Sequence, residues 1–114
     1  MSSPTPPRLE IAEAQVFPLR DLVAYQEGSV VSRVILKRDK GNVTVFAFDQ
    51  GQGLSEHTSP FDALVQAVEG EAEITVAGNA ITLKTGEVLL LPANKPHALK
   101  ATARLKMLLT MIRV

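Results

Sequence analysis

The run that decides the fold is Gly86-Glu87-Val88-Leu89-Leu90-Leu91-Pro92-Ala93-Asn94-Lys95-Pro96-His97-Ala98-Leu99-Lys100-Ala101. Val88 to Leu91 is apolar without polar alternation, and a short apolar run bounded by turn formers reads as a strand covered on both faces. Proline cannot donate to a strand ladder, so Pro92 ends it. Asn94 follows in the connection, at a place suited to a residue that tolerates left-handed backbone. A second short strand then begins at His97 and runs to Ala101.

Working outward, the chain continues as short apolar runs separated by Gly, Asn, Asp or Pro at the spacing of a β-sandwich or barrel, and no long helical period competes. Upstream, Gly78-Asn79 lies between Glu73–Ala77 and Ala80–Leu83. Glycine at the first central position of a two-residue loop predicts a type II′ hairpin there. Ala63–Val68 and Ala72–Val76 read as strands parted by Glu69-Gly70-Glu71, and 51–60 reads as a loop. Val30–Lys37 and Val43–Phe48 form a further hairpin around Asp39-Lys40-Gly41-Asn42. Nearer the start, 14–19 reads as an edge strand and 22–26 as a short helix or turn. Downstream, Arg104–Arg113 carries apolar residues on both sides. An exposed edge of that kind invites pairing, so this strand is expected either at the centre of the barrel or in a dimer contact.

With 114 residues the chain is the size of one domain. A flexible tail over 1–12 and a single barrel over 13–114 are the expected organisation. Twelve Lys plus Arg balance twelve Asp plus Glu, which leaves no net field for a polyanion, so nucleic acid is not expected as a partner. Cysteine is absent, which removes disulfides, thiolate metal sites and cysteine nucleophiles together. No apolar stretch approaches the length that spans a bilayer, so the expectation is a cytoplasmic protein with no membrane partner.

Only His57 and His97 offer imidazole nitrogen to a metal or a substrate, and in a closed barrel residues this far apart in sequence can meet. The segments around them resemble the two motifs of the cupin family, over about Gly51 to Ala101. Gly51, His57, Ser59, Ala63 and Gly70 fall on the first motif, whose pattern is Gly, His-x-His, Glu and Gly. Gly86, Pro92, Asn94, His97 and Ala101 fall on the second, whose pattern is Gly, Pro-x-Gly, His and Asn. The resemblance implies an all-β, double-stranded β-helix or jelly-roll barrel of two antiparallel sheets, with a pocket among the strands that bear the histidines.

In metal-binding cupins the ligands are the two first-motif histidines, the Glu and the second-motif His. Here Ser59 replaces the second His and Ala63 replaces the Glu, so the resemblance leaves His57 and His97 as candidate metal ligands. Asp62 is a third candidate only if a bulge turns it inward, because its strand parity, like that of Gln66, is outward. The expected cofactor is either none or a divalent ion such as iron, manganese, nickel or zinc. The expected pocket consists of His57, Ser59, Ala63 and His97. The expected function is the binding of a small polar molecule with weak or no metal dependence, in a homodimer formed through the N-terminal segment or the last strand. The alternative is a metal-dependent dioxygenase or isomerase using His57 and His97. No residue is assigned a catalytic role.

Overall fold

The computed structural model describes residues 10–113. The expected tail falls mostly on residues 1–9, outside the described residues. Glu10 and Ile11 are docked: Ile11 N–H donates to the Ile35 carbonyl at 3.1 Å, and Glu10 binds the Lys37 N–H and Arg38.

Among the described residues, nine strands follow one 3₁₀ turn at Leu19–Leu22: β1 (Val30–Arg38), β2 (Gly41–Phe48), β3 (Gly53–His57), β4 (Phe61–Glu69), β5 (Glu71–Val76), β6 (Asn79–Lys84), β7 (Val88–Leu91), β8 (His97–Ala101) and β9 (Leu105–Arg113). They make two antiparallel sheets, ordered β1-β2-β9-β4-β7 and β3-β8-β5-β6. No helix among the described residues is long and apolar enough to cross a membrane.

The core lies between the sheets. Phe48, Val65, Ile74, Leu105 and Met107 are its largest fully buried members, contributed by four strands, with Leu105 and Met107 at alternate positions of β9. Strand β9 sits between β2 and β4, which accounts for its two apolar sides: Leu105 and Met107 face the barrel, while Leu108 packs outward. There it joins a second cluster of Val23, Ile35, Val45 and Ala47, covered by Ile11, Leu22 and Tyr25. Ile11, Leu22, Val23 and Tyr25 therefore pack on the outer face of the large sheet. Lys106 fastens this layer by donating to the Arg20 carbonyl at 2.6 Å, and the Tyr25 ring lies under the Lys106 and Arg104 cations at 5.0 and 5.1 Å. Burial and the neighbouring Glu69 push the Tyr25 hydroxyl up to about 12.

Several expectations are corrected. Residues 14–19 form no strand, because Ala14 takes φ 53° and Pro18 has no N–H to pair. The expected helix or turn at 22–26 is instead the 3₁₀ turn at Leu19–Leu22. The 51–60 loop contains β3, a strand with only Leu54 partly buried and so without alternation to read. In the β5–β6 hairpin the loop residues are Ala77 and Gly78, with φ 48° and 85°, and Val76 pairs with Asn79. Positive φ at both loop residues is the type I′ pattern, one residue earlier than expected. Strand β7 is not covered on both faces. It is the edge of the large sheet, with Val88 58% and Leu90 55% exposed.

Two backbone positions carry the motif. Gly70, at φ 90°, passes the chain from β4 in one sheet to β5 in the other, and a Cβ there would meet the Arg104 carbonyl. Asn94 takes φ 64°, as its place in the second motif requires.

Candidate functional site

His57 ends β3 and His97 begins β8, and the two residues are direct partners across that strand pair. Their meeting depends on an irregularity. Leu54 pairs with Leu99 and His57 with His97, so β3 spends one more residue than β8 over the same span. Such a bulge re-aims the side chains beyond it. Leu54 and His57, an odd number of residues apart, therefore both line the barrel interior.

The imidazoles meet edge to face, with ring centres 4.3 Å apart, planes at 70° and Nε2 atoms 3.1 Å apart. Each ring is fixed from behind by its own loop. His57 Nδ1 lies 2.8 Å from the Ser55 carbonyl oxygen and His97 Nδ1 lies 3.2 Å from that of Lys95. A carbonyl oxygen only accepts, so each Nδ1 carries the hydrogen and donates it. The two Nε2 atoms are also within hydrogen-bond distance of each other, which requires a hydrogen on one of them, so the rings cannot both be neutral while both Nδ1 atoms donate. Burial depresses the His97 pKa below the usual imidazole value, and the adjacent His57 acts in the same direction against the opposing Lys95 hydrogen bond.

The loop before His97 is held by the connection between β3 and β4. Asn94 N–H donates to the Ser59 carbonyl at 2.7 Å, and Ala93 N–H donates to Asp62 Oδ1 at 2.8 Å. Asp62 is thus a loop anchor, not a companion of the histidines. Gln66 is exposed, in keeping with its outward parity. Ser59 Oγ accepts from Phe61 N–H at 3.2 Å, and its own hydrogen remains to donate.

Behind the histidines is a cavity of about 70 Å³. Its polar side chains are His57, Ser59 and His97, and Ala63 forms part of the wall. The other walls are apolar, among them Leu54, Ile74, Leu99, Met107 and Met111. The four expected pocket residues therefore come together, but the walls suit a more apolar ligand than the polar one expected. The apolar lining was foreshadowed by strand parity alone, since Val65 lies two residues beyond Ala63 on the same face.

A resident metal does not fit this donor set. Catalytic zinc is typically held by three protein ligands, and the barrel offers two imidazoles. Ala63 has no donor atom, Asp62 does not line the cavity and accepts from Ala93 N–H, and no group of three His, Cys, Asp or Glu side chains suited to a metal occurs among the described residues.

Comparison with known proteins bears on the whole arrangement. A family model described as a cupin domain matches residues 44–112. A conserved protein of unknown function from Streptococcus pyogenes has 34% sequence identity and a TM-score of 0.87, over 92% of each chain. A cupin superfamily protein from Desulfitobacterium hafniense DCB-2 has 30% identity and a TM-score of 0.86, over 92% of this chain and 96% of the other. A cupin 2 conserved barrel domain protein from Leptotrichia buccalis has 39% identity and a TM-score of 0.82, over 85% of this chain and 47% of that one. No curated protein matches the chain.

Proposed function

Because this chain belongs to the cupin family, with the cupin domain spanning residues 44–112, we propose that it is a binding cupin, which holds a small molecule in the barrel without needing a metal. The observation that carries this reading is the 70 Å³ cavity itself, apolar except for His57, Ser59 and His97 at its mouth. Small-molecule sites have that character: apolar walls for affinity and a few convergent polar groups for orientation. The metal-dependent oxygenase or isomerase reading needs a third protein donor, and the position where the family motif has Glu is Ala63.

The experiment is a fragment titration followed by methyl NMR. Shifts confined to Ile74, Leu99, Met107 and Met111 are expected for ligands of a few heavy atoms. A protein whose core methyls respond to no small molecule would contradict the reading.

We also propose a homodimer through the outer face of β4 and β7. Leu64 pairs with Leu90 on that face and Gln66 with Val88, close to Ile112, which is 54% exposed. An apolar, uncharged edge strand is the feature that natural sheets ordinarily cover or blunt.

A further inference from the structure

Where β4 begins and β1 and β9 end, the protein has a second hollow, a cleft of about 520 Å³, within the usual size of ligand sites, about 300–1,000 Å³. It continues the inner face of the large sheet past the barrel cavity. Ala63 and Met111, partners across β4 and β9, line the cavity. Phe61 and Arg113 are the next partners on that same face, two residues along each strand, and they line the cleft. Asn42, the partner of Met111 across β2 and β9, lines it as well. Asn42 thus stands diagonally across from Arg113, at a backbone separation of about 7–8 Å that long side chains close.

The free polar groups of the cleft are mostly donors. The Arg113 guanidinium lies over the Phe61 ring, 5.6 Å from its centre, and makes no ion pair among the described residues. The Lys37 ammonium, also in the lining, makes none either. Glu10 is already answered, since its Oε1 accepts from Arg38 at 3.1 Å and from Lys37 N–H at 2.8 Å. The buried Thr44 donates its hydroxyl to Asn42 Oδ1 at 3.2 Å, and that contact fixes the amide so that its –NH₂ is left for the cleft. Lys37, Arg38 and Arg113 face only Glu10 and Asp39 in the lining, so one positive charge is in excess.

A carboxylate fits this set. It offers only acceptors, a guanidinium grips it at two points, and its single charge matches the excess. A phosphate monoester brings close to two negative charges and leaves one unanswered. A cation would find only Asp39, an exposed turn residue, without a partner. We propose that the cleft is a second binding site, which takes a small organic carboxylate with an aromatic body. The carboxylate lies between the Arg113 guanidinium and the Asn42 –NH₂, Lys37 adds positive charge, and the body packs against the Phe61 ring. The site does not depend on the barrel cavity being occupied.

Benzoate and benzamide have the same shape and differ in charge. Titrated into full-length protein at about pH 7, where a carboxyl group is ionised, benzoate is expected to shift the NMR signals of the Asn42 –NH₂ and the Arg113 Nε–H. It should bind at least tenfold more tightly than benzamide, and Arg113→Gln should weaken it at least tenfold. The methyls of Ile74 and Met107 should stay silent, because benzene needs an apolar cavity of about 150 Å³ and the one behind the histidines has about 70 Å³. Benzoate that binds no better than benzamide overturns the proposal. So do shifts at Ile74 and Met107 in place of Asn42, an unchanged affinity in Arg113→Gln, or tighter binding of inorganic phosphate than of benzoate. If Arg113→Gln does not fold, the comparison of the probes on the unaltered protein still decides.

Discussion

Ala63→Leu puts three carbon atoms into the space where the family motif would place a carboxylate side chain. Ala63 is 6% exposed and faces the cavity, so the added atoms have nowhere else to go. Empty apolar volume costs about 24 cal/mol per Å³, so filling 70 Å³ is expected to stabilise the fold by about 1.7 kcal/mol. For a domain of this size about 4 °C of Tm accompanies each kcal/mol, which makes a rise of about 7 °C. Calorimetry gives the shift, and the fragment titration repeated on the same sample should show no methyl response. A gain in stability together with loss of binding is the combined result expected of a filled ligand cavity. A Tm lowered by several degrees, as overpacking produces, or ligand binding that survives the change, would refute the reasoning.

Gly70→Ala should cost about 3 kcal/mol, from the left-handed backbone and the collision with the Arg104 carbonyl. Urea unfolding checks it, and a loss below about 0.5 kcal/mol would mean that the crossing between sheets is not strained by a side chain. Leu90→Lys should convert a dimer to a folded monomer in light scattering, and an unaltered protein that is already monomeric would remove the proposed interface. Asp49 gives the acid-side pH dependence. The Gly28 N–H at 2.7 Å, then Arg104 and the Gln50 N–H, hold its carboxyl below the usual range. A lowered folded pKa contributes stability above the unfolded value, and that contribution is lost as pH falls through the folded one. The stability difference between the unaltered protein and Asp49→Asn should therefore shrink between about pH 6 and about pH 3. A difference that stays constant would contradict this.

The fold was legible because turn residues and apolar runs alternate so regularly, and because Gly86, Pro92 and His97 keep one spacing. Asn94 could be read as a left-handed position from its residue type and place, and it takes φ 64°. The β5–β6 register was harder. Whether Ile74 faces Ile81, as it does, or Leu83, the same side chains point inward, so alternation could not choose between the loops Ala77-Gly78 and Gly78-Asn79. Val88–Leu91 reads the same whether its second face is covered or open, since a sequence does not state which neighbour supplies the cover. His57 and His97 were identifiable as partners, but not the hydrogens on their rings. Those are set by the Ser55 and Lys95 carbonyls, and backbone groups leave no mark in residue identity. Asp62 could be given only a parity, and its actual use on Ala93 N–H follows from a loop whose path no periodicity encodes.

Metal content tests the central claim most directly. Elemental analysis of untagged protein, with His57→Ala prepared in parallel, is expected to find iron, manganese, nickel and zinc far below one equivalent and alike in both samples. Close to one equivalent in the unaltered protein, lost from His57→Ala, would contradict a barrel that binds its ligand without a metal.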